Sequence, residues 1–584
     1  MLVEKKDFKT TLVAINAKYI HTGLGVRSIY AYVQRETDFE VEFLELTINQ
    51  HEQAVLESLY ERHSAVYLFS CYIWNIEMVE RLVGNLRQLR PDAKIGLGGP
   101  QVGYRGEQYL ATHLEVDFII LGEGEKTVCR LLPLLQEEKS LASCGGIVYR
   151  EEKSIRVTPG EASMEMDALA FAYPDIGELQ HKIIYYESMR GCPFSCSYCL
   201  SSVEKGVRKR SLSLVFEDLE KFLSWGVPQV KFVDRTFNCD PKHSRGIWEW
   251  LAIHDNGVTN FHFELSGELL DEETLLFLSK MRPGLFQFEI GVQSTNLETL
   301  KEIDRFGNVQ GLLSRVNSLL VPGNIHVHLD LIAGLPYEGY DSFQNSFRQV
   351  YACRPHQLQL GFLKVLSGSK MEKKAVKYGL IYSGSAPYQI LANRWLSYQE
   401  LTELQGIADM VEIYYNSCRF THIIEHLLSA FSDVFAFYQT LSDHFRKTTE
   451  GQPVSRLGYF DVLRSFVLSQ GMAFTERMHW LAKYDLLLHE KPRKLPGWMQ
   501  ADISKTYRKS IQGFFMEEEN VARYLPEYLG EDSLRIERMA HVEVFPFHPE
   551  TGAPGRVVAV LNYKQKNILG IAAVKILPMD VLQS

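Results

Sequence analysis

Between residues 11 and 125, short apolar runs alternate with longer segments of helical period. The runs 11–17, 41–47, 65–72, 94–100 and 117–125 have the length and composition of buried strands, whereas 25–35, 52–62 and 76–90 repeat apolar residues every three or four positions. The last of these stops before Pro91, where a helix is expected to end. Such alternation predicts an α/β fold, a doubly wound Rossmann or flavodoxin-like domain, followed by a hairpin over 145–159. Ligands of these sheets bind beyond the carboxyl ends of the strands. The residues there are Ala17 and Lys18, Ser70 and Tyr72, Gly98, Gly99 and Pro100, and Gly122, Glu123 and Gly124. One glycine pair would merely make a tight turn; their joint placement lets a flat ligand approach the backbone closely.

After an acidic linker, the alternation resumes at residue 182. Strands are expected at 182–186, 229–233, 260–265, 285–292, 326–333 and 357–365, with helices at 214–225, 241–254, 271–281, 297–304 and 341–353. Six strands with helical crossovers make a partial (β/α)6 barrel, with chemistry on the loops after the strands. From about residue 386 long aromatic-rich helical runs take over, and strand-like segments return only at 542–547, 556–563 and 568–576. The expected division is a Rossmann-like domain at 1–145, a hairpin and linker at 146–181, a partial barrel at 182–385 and a mostly α-helical C-terminal domain with a few terminal strands at 386–584.

The composition agrees with folded domains: 584 residues, 46% apolar and 23% charged, enough for roughly three or four domains. With 62 basic and 72 acidic residues the net charge is −10, which disfavours polyanionic partners. The first ten residues do not read as a secretory signal, and no apolar run approaches the ~20 residues of a membrane span. A cytoplasmic protein without a membrane partner is expected. Nine cysteines without a signal argue against a disulfide framework, and six of them are scattered among apolar neighbours.

The other three stand together in Met189-Arg190-Gly191-Cys192-Pro193-Phe194-Ser195-Cys196-Ser197-Tyr198-Cys199, directly after the first strand of the second block. A cluster site normally supplies four thiolates, so three leave one iron of a 4Fe-4S cluster open to a substrate or cofactor. A zinc knot would need a second cysteine pair or a nearby histidine, and the nearest downstream histidine is His243. This segment resembles the signature of the radical S-adenosylmethionine (SAM) enzymes, and the resemblance extends through 182–370. It implies that Cys192, Cys196 and Cys199 hold the cluster, and that SAM chelates the open iron and is cleaved by one electron to a 5'-deoxyadenosyl radical. Matching positions imply SAM contacts at Tyr198, Asp234, Glu289, Gln293, Ser294 and Arg305, with residues 330–336 near the adenine. Arg235, Glu264 and Glu268 read equally well as solvated rim residues.

An α/β domain ahead of such a barrel resembles the cobalamin-binding branch of that superfamily, over about residues 11–140. The histidine loop that ligates cobalt in the mutases is absent. The first strand is followed instead by Asn16-Ala17-Lys18-Tyr19-Ile20-His21-Thr22-Gly23. His21 could face a corrin, but a lone histidine is more often a surface or helix-start residue. The C-terminal block resembles an extension of one poorly characterised branch and names no substrate. Its stretch Lys491, Arg493, Lys494, Trp498, Lys505, Tyr507, Arg508 and Lys509 reads as a solvated loop before it reads as a phosphate or RNA contact. The resemblance implies hydrogen abstraction from an unactivated carbon with methyl transfer from methylcobalamin. It also implies a small-molecule or peptide substrate and an electron donor such as flavodoxin or ferredoxin. The alternatives are a non-methylating rearrangement or oxidation on the same cofactors and, from another class, a metal-binding nucleic-acid-associated regulator.

Overall fold

The computed structural model describes residues 8–152, 154–203, 206–305, 307–499, 503–567 and 569–582. Its first sheet contains β1 (Lys9–Asn16), β2 (Glu40–Thr47), β3 (Val66–Ser70), β4 (Lys94–Gly98), β5 (Phe118–Ile120), β6 (Ile147–Glu151) and β7 (Ser154–Val157). The strand order is β2-β1-β3-β4-β5-β6-β7. The first five strands are parallel, and β6 and β7 add as the antiparallel hairpin. This is the flavodoxin order, which reverses between β1 and β3.

The central strands are apolar on both sides because helices cover both faces. Val13, Ile15, Tyr67, Phe69, Ile95 and Leu97 pack with Val79, Leu82, Val83 and Leu86 of helix Ile76–Leu89. On the other face Leu12, Ala14, Leu68, Phe118 and Ile120 meet Val26 and Val33 of helix Leu24–Glu36 and Val128, Leu131 and Leu132 of helix Gly124–Gln136. The strand expected over 117–125 is therefore only three residues long. Its last residues turn into that helix, whose apolar positions recur every three to four.

The second sheet begins with β8 (Ile183–Tyr186), followed by a short hairpin of β9 (Met189–Gly191) and β10 (Val207–Lys209). Then come β11 (Gln229–Phe232), β12 (Asn260–Leu265), β13 (Phe286–Gln293) and β14 (His326–Ala333), parallel in the order β8-β11-β12-β13-β14. The sixth expected strand also forms, as β15 (Gln357–Phe362). Helices between the strands bury Val215, Leu219 and Phe222, or Ile247, Trp248 and Leu251, against the outer face. A pair missed in the sequence follows, β16 (Ile381–Tyr382) with β17 (Ile390–Ala392).

Contacts divide the chain into two compact units, one of residues 1–343 with 362–398 and the other of residues 344–361 with 399–584. Both parallel sheets described above belong to the first. The second is mostly helical and ends in an antiparallel sheet of β18 (His541–Phe547), β19 (Pro554–Lys566) and β20 (Ala572–Pro578). Its core holds a buried ion pair, Lys483 with Glu543 at 2.9 Å. Of its basic stretch, Lys491 donates to the Ala540 carbonyl, Trp498 Nε1 donates to Asp461 Oδ1, and Tyr507 accepts from Arg556. The Lys505 side chain lies outside the described residues. Among the described residues no helix is long and apolar enough to cross a membrane.

Candidate functional site

The cysteine segment is held from three sides. At its start Asp234, at the end of β11, accepts from the backbone amides of Ser188 and Met189 at 2.9 and 2.6 Å and from the Ser188 hydroxyl at 2.7 Å. This fixes the turn from β8 into β9. Gly191 ends β9 with φ +96°, and a Cβ there would lie 2.0 Å from the Gly206 carbonyl oxygen, so only glycine lets the hairpin close. Further on, the Ser197 amide donates to Ile303 O at 2.9 Å, Met371 N donates to Ser197 O at 2.8 Å, and Lys370 Nζ donates to Ser195 O at 3.0 Å.

Cys192, Cys196 and Cys199 are free, half-buried thiols. Cys192 Sγ lies 3.5 Å from Thr236 Oγ1. Burial raises the Cys196 pKa, the Arg305 guanidinium opposes it, and the fields of Cys199 and Cys192 add to the rise, so all three thiols share one neighbourhood. Among the described residues no three His, Cys, Asp or Glu side chains converge as a site for one metal ion.

The residues singled out for SAM divide into two sets. Arg305, Tyr198 and Gln293 come together: the Arg305 guanidinium faces Cys196 and the Tyr198 phenol and donates to Gly291 O, while the Gln293 amide lies over Gly291. Gln293 has φ +69°, and its buried Oε1 has no hydrogen-bond partner among the described residues. Strain and an orphaned buried acceptor at a strand end fit a ligand-binding position. Asp234 and Ser294, by contrast, are fully buried and spent on the protein. Burial lifts the Asp234 carboxyl to about 8 against its three hydrogen bonds, and Ser294 Oγ donates to Glu338 at 2.6 Å. Glu289 sits inside the barrel, four residues before the end of β13.

At the carboxyl edge of the first sheet a cleft opens at the reversal between β1 and β3. It is lined by Asn16, Gly23, Gly25, Ser70, Tyr72 and Asn75 among others. Buried Asn75 holds its floor, donating to the carbonyls of Ile15 and Ser70 and accepting from Tyr72 N. Tyr72 stacks on half-exposed Trp74 at 4.2 Å, a flat apolar surface beside the cleft. Gly99, with φ +98°, would place a Cβ 2.6 Å from Cys71 O, so β3 and β4 end in close backbone contact. Of the other residues expected here, Lys18 is exposed, and Pro100 opens the short helix Pro100–Gly103. Glu123 is taken by Arg208 and by the Met164 amide. His21 is half-buried and lies before the helix that starts at Leu24: its Nδ1 bonds the Tyr185 hydroxyl at 2.5 Å, and its backbone bridges Ile183 of β8.

Of the barrel interior, the sequence singles out Glu264, Glu289 and residues 330–336 but not the other polar positions of these strands. Along β8, β11, β13 and most of β14 every second residue is fully buried, and the residues between keep accessible surface. The buried set is apolar and faces the helices; the accessible set is largely polar and lines a lumen. Lys231 is in register with Tyr185 and His262, His262 with Gln287, and Gln287 with His326. One rung higher stand Glu264, Glu289 and His328, and above them Gly291 and Asp330. Glu289 accepts from Lys231 Nζ at 3.1 Å and lies 3.2 Å from His262 Nε2; although burial pushes its carboxyl up, these partners hold it near 2. Glu264 and Asp330 are displaced the other way, first by burial and then by neighbouring carboxylates.

A B12 binding domain model matches residues 10–132, a radical SAM superfamily model matches 186–350, and a model described as a protein of unknown function (DUF4080) matches 376–559. The 2-(S-pantetheinyl)-carbapenam-3-carboxylate methyltransferase of Streptantibioticus cattleyicolor is 24% identical over 65% of this chain and 61% of its own length. The cobalamin-dependent radical SAM methyltransferase TokK of Streptomyces tokunonensis is 23% identical over 54% of this chain and 49% of its own. An anaerobic magnesium-protoporphyrin IX monomethyl ester cyclase of Synechocystis is 27% identical over 39% and 47%. The chain thus spans about half to three fifths of the length of these curated relatives.

Among solved structures, the radical SAM methyltransferase TsrM from Kitasatospora setae, with cobalamin and a 4Fe-4S cluster bound, superposes with TM-score 0.54 at 16% identity over 65% of this chain and 76% of that one. The cobalamin-dependent SAM radical enzyme OxsB, with aqua-cobalamin bound, superposes with TM-score 0.59 at 13% identity over 79% of each chain. At such identities the likeness is one of fold. Fold and cysteine loop mark a radical SAM domain over residues 186–350. A B12-binding domain lies ahead of it and a DUF4080 region behind it. The cofactors these domains carry are a 4Fe-4S cluster, SAM and cobalamin.

Proposed function

We propose that the chain is an enzyme that removes a hydrogen atom from an unactivated carbon of a small molecule or peptide and places a methyl group there, drawing electrons from a donor such as flavodoxin or ferredoxin. The observation that carries this reading is the three-thiol loop held in one compact unit with a B12-type cleft. When bound, the cluster supplies the electron that cleaves SAM, and cobalamin supplies a methyl group that a carbon radical can accept.

In this reading Cys192, Cys196 and Cys199 hold the cluster and leave one iron for SAM. Arg305, Tyr198 and Gln293 line the SAM site, with Glu289 below them, while Asp234 and Ser294 position the backbone that carries it. Ala17, Lys18, Ser70, Tyr72, Gly98, Gly99, Pro100, Gly122 and Gly124 border the cobalamin site, with Glu123 bracing its rim through Arg208. The barrel walls around the lumen keep water from the reacting carbon, the protein's share of chemistry that the cofactors perform. Methylation is favoured by the two methyltransferase relatives; the cyclase relative keeps oxidation on the same cofactors as the second reading.

The test is anaerobic reconstitution with iron, sulfide and hydroxocobalamin, then incubation with SAM and dithionite as reductant, read by absorption spectra and SAM products, on the native chain and on Cys196→Ala. The expected result is a cluster and retained corrin bands in the native chain, with 5'-deoxyadenosine formed there and lost in the variant. Formation of S-adenosylhomocysteine alongside 5'-deoxyadenosine marks methylation, and 5'-deoxyadenosine alone marks the second reading. A protein that binds zinc and cleaves no SAM overturns both.

A further inference from the structure

We infer that the basic face of residues 370–377, beside the cysteine loop, is where an acidic one-electron carrier of the flavodoxin type docks to reduce the cluster. The inference rests on the enzymatic reading above and adds to it the surface that the electron donor uses. Four lysines, Lys370, Lys373, Lys374 and Lys377, fall within this short segment of a chain whose net charge is −10. They lie on two consecutive short helices, Lys370–Lys373 and Ala375–Tyr378, joined where the Lys374 amide donates to Lys370 O at 3.1 Å. Met371 and Tyr378 form the buried side, 0% and 1% exposed. At helical spacing the four lysines then share one contiguous stripe beside it.

The stripe adjoins the loop directly, within one compact unit. Lys370 Nζ donates to Ser195 O at 3.0 Å and Met371 N donates to Ser197 O at 2.8 Å, so the segment is bonded on both sides of Cys196. Pro193, Phe194 and Ser195 of the loop are exposed, and Val376, 91% exposed, adds an apolar point three residues from Lys373. Three of the lysines are partly neutralised, Lys370 by Asp304 at 2.9 Å and Lys374 and Lys377 by Glu302 at 3.5 and 2.7 Å. Lys373 is exposed, and its ammonium enters no hydrogen bond or ion pair among the described residues. Glu372 is turned to Arg105 and to the Gly368 amide, so positive charge stays in excess along the stripe. Exposed ion pairs of this kind add only about 0–1 kcal/mol to stability, which gives folding little use for four lysines here. A patch of one sign on a molecule of the other sign steers a complementary partner to that place. Transient electron-transfer pairs bury little area, so steering of this kind decides how fast they meet. The transfer itself moves one electron, oxidising the carrier and reducing the cluster; no bond forms or breaks and no proton has to move.

The experiment follows cluster reduction in the full reconstituted chain by stopped-flow absorbance. The reductants are an acidic bacterial flavodoxin in its hydroquinone form and, separately, reduced methyl viologen, a small cation that needs no docking face. The expected result for the native chain is reduction by flavodoxin that slows steeply as salt is raised. Lys373→Glu should slow it about tenfold or more at low salt and flatten its salt dependence, and adding Lys377→Glu should slow it further. Reduction by viologen, cluster absorbance per chain and thermal midpoint should not fall in either variant. Lys280→Glu, at an exposed lysine before the amino end of β13, makes the same change of net charge away from the loop and should leave the flavodoxin rate near native. Equal slowing by Lys280→Glu, a flavodoxin rate indifferent to salt, or a viologen rate that falls along with the flavodoxin rate overturns the inference while leaving the enzymatic reading intact. A native chain that viologen reduces and flavodoxin does not has the same consequence. The salt dependence needs only the native chain, so a variant that folds poorly does not decide the outcome. A chain that assembles no cluster fails the earlier reading instead.

Discussion

At Asp234, sequence resemblance and structure give different weight to one side chain. Its place after β11 suggests a SAM contact, yet both carboxyl oxygens are turned inward to Ser188 and Met189, and His243 Nε2 closes the network 3.1 Å from Ser188 Oγ. Burial lifts the Asp234 pKa to about 8 and lowers that of His243 to about 4. A carboxyl whose folded pKa is raised contributes stability that is complete below its ordinary value and is lost as pH climbs to the folded one. The neutral histidine contributes stability above about 6.5 that is lost as pH falls toward 4. The two overlap below 6.5, so the window from about 6.5 to 8 belongs to Asp234. There the native chain should lose stability relative to Asp234→Asn by at most about 1.4 kcal/mol per pH unit. Urea midpoints of both proteins across that window measure it, and parallel curves would assign the pH dependence elsewhere. The cysteine spacing was legible because cluster chemistry fixes it locally. The inward turn of Asp234 was not, since it depends on a backbone 45 residues away.

At the scale of elements, most strands and helices were legible because burial imposes their period. The alternation that marks the lumen was also present, in Phe-Gln-Phe-Glu-Ile-Gly-Val-Gln over β13 and His-Val-His-Leu-Asp-Leu over β14. It does not by itself mark a lumen, because strands of parallel sheets are expected to be apolar on both faces, and only a barrel with an open interior makes one face polar. The β9–β10 hairpin left no periodic signal, being three residues per strand. It is fixed instead by a close backbone approach, which gives Gly191 a specific role. Gly191→Ala forces an L-residue to φ +96° and a Cβ against Gly206 O. The expected cost is about 1–3 kcal/mol of strain at that hairpin. Because Cys192 follows directly, cluster content per chain should fall along with the thermal midpoint; a variant with native midpoint and native cluster absorbance would show that the loop tolerates the shift.

At the scale of the molecule, the sequence divides into blocks at the linker, but the B12-type sheet and the radical SAM sheet lie in one compact unit. What joins them could not be read from the sequence, because the partners are far apart in the chain. Arg190, two residues before the first cluster cysteine, donates to Glu187 at 2.8 Å and to Glu125 at 2.5 Å and stands 3.6 Å from Glu123. Glu123 and Glu125 flank the start of helix Gly124–Gln136 in the B12-type domain, and Glu123 is also held by Arg208 of β10. The Arg190 and Glu125 side chains are only 15% and 4% exposed. Removing one partner of such a buried network leaves carboxyls unpaired and costs about 3–5 kcal/mol, whereas an exposed pair is worth about 0–1 kcal/mol. Arg190→Met should therefore lower the urea midpoint far more than Arg35→Met, whose pair with Glu36 is 44% exposed on both sides. Glu123 keeps Arg208, so the two sheets should remain joined and still unfold in one step. A second transition in Arg190→Met would mean that Arg208 and the other contacts do not suffice to couple them, and a midpoint equal to that of Arg35→Met would remove the clamp from the account of how the cysteine loop is held against the B12-type domain.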